Sequence, residues 1–354
     1  MTRLIAEQVL GIPGNLKEFD RELIKKTGSS LKELALTAAG FDSADTAVSN
    51  SSSEPRSLSG TGTQSCHSRE NNPFNSLALN RSVVKEAYNL AATNAESPAE
   101  SLANPAAYRV AVIPITTGEG TIKGFSEAVC AIAGHLGFPA FITATTDLSG
   151  LAEAYQSGAS IAIMADDYYY AAFNLQTRLV AGNDEATAKG YTAALQKMAG
   201  GLAAREVLLI GAGPLGTAAA KALLKDRASL IIYDLSRAKE TSLAQSFNPV
   251  TRKQITTGLT LEQALLRTNL IFDASPGEAF IPTTLLKPDA CISAPGLPLG
   301  LNAAAARLHA DRLIHDPLQI GTAVMLFQAL QRGQCVCGDG GHCHEFSVTG
   351  TPSP

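Results

Sequence analysis

Gly211-Ala-Gly213-Pro-Leu-Gly216 follows an apolar run at 207–210 and opens an Ala/Leu-rich stretch at 214–224. A G-x-G-x-x-G match alone is weak, but between a strand and a helix it acquires a mechanism. Gly211 permits the tight turn, Gly213 lets backbone approach a pyrophosphate, and Gly216 lets helix and strand pack closely. Ala212, Pro214 and Leu215 complete a helix N-terminus whose free N–H groups and partial positive charge suit phosphates. The next apolar run, 230–233, ends in Asp234. A carboxylate there accepts hydrogen bonds from both ribose hydroxyls of an adenosine and repels a 2′-phosphate, which points to NAD rather than NADP. Arg237 is the opposing signal, since an arginine at this place helps hold such a phosphate. Ser275-Pro276 and Pro295-Gly296 each follow a short apolar run. They read equally well as walls of the same crevice, beside the nicotinamide ribose, and as plain turns.

A second group of residues suits an amine or carboxylate substrate. Asp166 and Asp167 end the apolar run 161–164. Two carboxylates facing one cleft would raise one pKa and create a proton acceptor. Adjacent strand residues point to opposite faces, however, so at most one meets substrate while the other caps the following helix. Thr116, Thr117 and Gly118 form a loop able to bind a carboxylate or carbonyl through hydroxyl and N–H groups. His315 beside Asp316 is the histidine to test as a proton relay, and His135 reads as structural. The tail holds Cys335, Cys337, His342, Cys343 and His344. Its spacing matches no standard zinc knuckle and its glycine-rich setting offers no supporting shell, so no metal is expected.

These residues require elements to hold them. Short apolar runs alternate with helical patterns at 109–164 and again from 205, the signature of parallel βαβ units. The expected fold is α/β: a helical plus α/β N-terminal substrate lobe, then a Rossmann NAD-binding lobe. Its expected divisions are a helical region at 1–40, a serine-rich insertion at 41–107, a substrate lobe at 108–203, a Rossmann domain with closing helix at 204–332, and a flexible tail at 333–354. Ten serines fall between Ser43 and Ser76 without periodicity, so that segment reads as disordered. A further helix is expected at 82–93, and residues 168–200 read as helical, punctuated by Gly182-Asn183 and Gly190.

The chain's 354 residues allow about two domains, and its net charge of −4, from 28 basic and 32 acidic residues, excludes an electrostatically driven nucleic-acid binder. No signal peptide or membrane span is read, and six scattered cysteines suit a reducing compartment, so a cytoplasmic protein is expected. The expected partner is a small molecule rather than nucleic acid or membrane, with a homodimer as the assembly to test.

Residues 110–330 resemble the dehydrogenase family that forms pyrrolysine in the last enzymatic step of its biosynthesis (the PylD family). The resemblance rests on Ile113-Pro-Ile-Thr-Thr-Gly118, Asp147-Leu-Ser-Gly150, Ile163-Met-Ala-Asp-Asp167, the glycine loop, Ser293-Ala-Pro-Gly-Leu-Pro298 and Asp316-Pro-Leu-Gln-Ile-Gly-Thr322. It implies NAD-dependent oxidation of the terminal amine of L-lysine-Nε-3-methyl-D-ornithine, ring closure to a pyrroline and release of ammonia. It assigns Asp166 to substrate, Asp167 to capping, and Asp316 to the substrate amine, an N-cap carboxylate being the alternative at 316. Thr322, opening the closing helix, is placed against the nicotinamide carboxamide. Three features depart from the family: the insertion, the tail from Gly333, and Asp316 in place of Glu. Alternatives are a shikimate- or quinate-dehydrogenase-like enzyme acting on a hydroxyl, against which the absence of a Lys/Asp relay counts, and a non-catalytic NAD sensor.

Overall fold

Two leucine-bearing helices begin the described chain, and their boundary follows from local chemistry. The computed structural model describes residues 16–40, 64–65, 104–118 and 120–330. Helix α1 (Leu16–Thr27) stops where Gly28 takes a positive φ of 71°. Helix α2 (Leu31–Ala39) starts with a capping box, in which Ser30 accepts the Glu33 N–H and Glu33 accepts the Ser30 N–H. The expected insertion, the helix at 82–93 and the Cys/His tail lie outside the described residues, apart from the two-residue strand β1 (Gln64–Ser65).

The first sheet runs β1-β3-β2-β4-β5-β6, from β2 (Val110–Val112), β3 (Ala140–Ile142), β4 (Ile161–Ala165), β5 (Tyr170–Asn174) and β6 (Val180–Gly182). Helices α3 (Phe125–His135) and α4 (Asp147–Gln156) form the crossovers of its parallel centre, β3-β2-β4. Beyond β4 the sheet turns antiparallel. That corrects the helix expected from residue 168. β5 is buried on both faces and lacks the alternation that marks a half-exposed strand, so its Tyr-Ala-Ala-Phe pattern reads equally as helix. The helix proper is α5 (Asn183–Ala199).

The second sheet is wholly parallel, with order β9-β8-β7-β10-β11-β12. Its strands are β7 (Glu206–Ile210), β8 (Ser229–Tyr233), β9 (Ile255–Thr256), β10 (Leu270–Asp273), β11 (Cys291–Ser293) and β12 (Leu313–Ile314). The helices between them are α6 (Pro214–Lys225), α7 (Arg237–Gln245), α8 (Pro249–Arg252), α9 (Leu261–Arg267) and α10 (Ala303–Leu308). In chain order this is the 3-2-1-4-5-6 arrangement of the doubly wound dinucleotide fold, with its switch point between β7 and β10.

Helix α11 (Gln319–Gln328) crosses back to pack on α5, α2, α3, β5 and β6. Helix α5 in turn covers β10 and β11, so side chains from both sheets, such as Ile163 and Phe272, share one apolar core. The α5–α11 contact is close because Gly190 carries no side chain: a Cβ there would lie 2.5 Å from Ile320 Cγ2. Gly190 is therefore a packing glycine inside a helix rather than the break its composition suggests. Of the cysteines expected to be reduced, Cys291 is a free buried thiol and Cys130 on α3 is disulfide-bonded. Among the described residues no helix is long and apolar enough to cross a membrane.

Candidate active site

The glycine loop lies at the carboxyl end of β7, beside the switch point, where doubly wound sheets open their ligand crevice. Each glycine has its own reason. Gly211 has φ of 95°, and a Cβ would approach the Ala274 carbonyl oxygen at 3.0 Å. A Cβ on Gly216 would overlap the Gly211 carbonyl. Gly213 meets nothing within 4 Å, so open space rather than protein packing adjoins it. No side chain caps the N-terminus of α6, and Pro214 occupies its first turn. Oriented N–H groups beside a cradle that a larger residue would fill are what a pyrophosphate requires.

Asp234, at the end of β8, closes over this loop. Its Oδ2 accepts the Ala212 N–H at 2.8 Å and its Oδ1 the Ser236 N–H at 2.8 Å. Arg237 is tied to Glu240 by one end of its guanidinium. Its Nη1 donates to both oxygens of Glu240, at 2.9 and 3.2 Å. Glu240 is buried and accepts the backbone N–H groups of Asp234 and Gly258 as well. Sequence reasoning missed Glu240. The Arg-x-x-Glu spacing, which places both on one helix face, was its available signal.

The loops after β10 and β11 pack closely against each other. Ser275 donates both N–H and hydroxyl to Asp273 Oδ1, at 3.1 and 2.6 Å. Pro295 and Gly296 are buried, a Cβ on Gly296 would overlap the Ser275 carbonyl, and Pro276 is exposed. Asp273 was also missed. It is fully buried, close against Gly300, and burial pushes its carboxyl up to about 6 despite the Ser275 bonds.

At the carboxyl edge of the first sheet, Asp147 organises the threonine loop. It accepts the Thr116 N–H at 2.8 Å and the Thr116 hydroxyl at 2.5 Å, and these bonds hold its pKa below the usual carboxylate value. Thr116 is thus engaged, while Thr117 and Gly118 are exposed. Asp166, not Asp167, takes the capping role. Asp166 Oδ1 accepts the Tyr168 and Tyr169 N–H groups, at 2.8 and 2.7 Å, and so caps the turn into β5. Asp167 lies over the loop: a Cβ on Gly118 would overlap its carboxylate. The choice of capping residue follows from the missed hairpin. A tight turn rather than a helix comes after β4, and its N–H groups fall to the first of the pair.

Asp316, after β12, is buried and takes the capping geometry. Oδ1 accepts the N–H groups of Leu318 and Gln319, and Oδ2 that of Ile320 at 2.9 Å. Burial still raises its pKa to about 6. Its backbone exchanges hydrogen bonds with the hydroxyl of Tyr191 on α5, whose own carbonyl accepts from Ser293. His315 Nδ1 bonds the Ala294 carbonyl at 2.7 Å, and burial lowers its pKa. Thr322 is displaced from its expected place. It is fully buried and bonds the Tyr170 hydroxyl of β5 at 2.8 Å, because α11 turns that face toward the first sheet. His135 ties α3 to Asp20 of α1 at 3.2 Å, as a structural residue does. Among the described residues no cluster of three or more His, Cys, Asp or Glu side chains is placed to hold a metal.

Residues 69–181 match the family described as pyrrolysine biosynthesis protein PylD, N-terminal domain, and residues 193–285 match shikimate / quinate 5-dehydrogenase. A pyrrolysine synthase of Methanosarcina barkeri is 31% identical over 227 residues, covering 63% of this chain and 81% of that protein. One from Methanosarcina acetivorans is 30% identical, covering 64% and 84%. Among solved structures, quinate dehydrogenase from Corynebacterium glutamicum in complex with NAD is 16% identical, covers 63% of this chain and 93% of that one, and has a TM-score of 0.44. Shikimate dehydrogenase from Aquifex aeolicus is 15% identical, covers 63% and 89%, and has a TM-score of 0.42. The two pyrrolysine synthases are matched over most of their length, and the chain belongs to the pyrrolysine synthase family.

Proposed function

We propose that this chain is an NAD-dependent amine dehydrogenase. It oxidises the terminal amine-bearing carbon of L-lysine-Nε-3-methyl-D-ornithine, after which the second amine of the methylornithine unit closes onto that carbon and expels ammonia, leaving the pyrroline ring of pyrrolysine. The observation that carries this reading is the open cradle at Gly213 in a chain of this family, set against an uncapped helix and an acidic residue at the end of β8.

A nicotinamide dinucleotide held there supplies the two-electron oxidant. Gly211, Gly213 and Gly216 let backbone N–H groups reach its pyrophosphate, and Asp234 keeps lone pairs for ribose hydroxyls beside those given to Ala212 and Ser236. An ammonium must shed a proton before the carbon it bears can lose a hydride. Asp167, set over the Thr116–Gly118 loop at the edge of the first sheet, offers its carboxylate to that ammonium, and Asp166 holds the turn that carries it. Asp316 anchors the first turn of α11. Its Oδ2 accepts a single N–H bond and retains a lone pair for a substrate amine, and a carboxyl titrating at about 6 suits a proton acceptor near neutrality.

The test supplies the lysine–methylornithine dipeptide and NAD and follows NADH fluorescence together with ammonia loss by mass spectrometry. NADH formation with that mass change supports the reading; no NADH from an enzyme that binds NAD sinks it. The match of residues 193–285 to shikimate / quinate 5-dehydrogenase favours a second reading, oxidation of a hydroxyl. NADH formed from quinate or shikimate but not from the dipeptide would select it.

A further inference from the structure

The ion pair at the start of α7 bears on which dinucleotide the crevice accepts, and its role rests on the dinucleotide reading above. Arg237 follows Asp234 by three residues, at the end of β8 where a 2′-phosphate would lie, and its side chain is half exposed. An arginine so placed would ordinarily pair with that phosphate, because its planar donor fork matches phosphate oxygens. Here Nη1 of the guanidinium already donates to both oxygens of Glu240, at 2.9 and 3.2 Å, which holds the side chain toward that carboxylate.

Glu240 is not a surface carboxylate free to swing away. Its side chain is 1% exposed, and its oxygens also accept the Gly258 N–H at 3.1 Å and the Asp234 N–H at 3.4 Å. The same carboxylate therefore fixes the Asp234 backbone and draws off the nearest arginine. Lys239, the other basic residue of this turn, is exposed, and its backbone N–H bonds the Ser236 hydroxyl. We propose that Glu240 is a specificity-determining residue: it sets the preference for NAD over NADP by holding Arg237 away from the 2′ position.

Glu240→Gln keeps one acceptor oxygen, for either the Gly258 or the Asp234 N–H, and removes the charge that holds the guanidinium. Isothermal titration calorimetry with NAD and with NADP reads the outcome on variants whose unfolding transition matches the wild type. The expected result is an NADP affinity raised about tenfold relative to NAD, the scale of a charge-assisted hydrogen bond, and abolished in the double variant Glu240→Gln/Arg237→Gln. A ratio that does not move in Glu240→Gln, or a gain that persists in the double variant, overturns the proposal. If Glu240→Gln does not fold, Arg237→Gln alone decides. An arginine held by Glu240 can be removed without loss of NADP affinity, whereas a fall of several-fold would show that it already serves the phosphate. Wild-type protein that binds neither dinucleotide refutes the underlying reading instead, a result separate from any change in ratio.

Discussion

Among single residues, the carboxyl groups divide by environment. Asp147 is held low by the Thr116 hydroxyl and amide, whereas Asp273 and Asp316 are pushed up to about 6 by burial that their hydrogen bonds only partly offset. For Asp273 the sign of the pH dependence is definite. Its folded pKa stands above the ordinary value of 3.8. As pH rises, the unfolded chain loses that proton first, so this group's contribution to stability falls between about pH 4 and about pH 6, by roughly 3 kcal/mol in all. Asp273→Asn retains an acceptor for Ser275 and removes the titration. Its unfolding free energy relative to wild type is expected to rise by about 3 kcal/mol between about pH 4 and about pH 7. Urea unfolding at both pH values checks this, and a difference that stays flat would mean that the carboxylate carries no burial cost.

At the scale of elements, the contact that joins the two halves is α5 against α11. It depends on Gly190, where a Cβ would meet Ile320 Cγ2 at 2.5 Å and Val324 Cγ2 at 2.9 Å. Both neighbours are β-branched residues on a buried helix and have little rotamer freedom with which to give way. Gly190→Ala therefore sets about 1 kcal/mol of helix propensity against an overpacking cost of about 1–3 kcal/mol. A net loss of about 1 kcal/mol is expected from these opposing terms, read as a lower urea midpoint. A midpoint at or above the wild-type value would show that α11 shifts freely on α5.

For the whole molecule, ligand binding and folding are linked. NAD at about 100 times its dissociation constant should raise the unfolding free energy by about 2.7 kcal/mol. Gly213→Val separates this linkage from packing. The Gly213 backbone is extended, with φ of −79° and ψ of −169°, and a Cβ there meets no protein atom within 4 Å. The ligand-free transition should shift by no more than about 1 kcal/mol, the cost of a poor cap, while the NAD-induced stabilisation disappears. A variant stabilised by NAD as strongly as wild type would reduce the glycine loop to a turn.

The strand, glycine loop, helix and acidic strand end were legible in sequence because each is a local signal: an apolar run, a turn chemistry and a helix pattern within 28 residues, from 207 to 234. The apolar runs at 207–210 and 161–164 fall within one residue of the strands the fold gives them. The hairpin of β5 and β6 was not, since burial on both faces of β5 erases the period of two. Side-chain roles were the least legible. Whether Asp166 or Asp167 caps depends on that hairpin, and whether Arg237 meets a ligand depends on Glu240. The direction of Thr322 depends on Tyr170, 152 residues away in the chain. Residue type and spacing determined that a dinucleotide fold was present and where its loop lay. Only the tertiary structure decided which polar groups are spent on the protein itself, because that is set by packing between segments far apart in sequence.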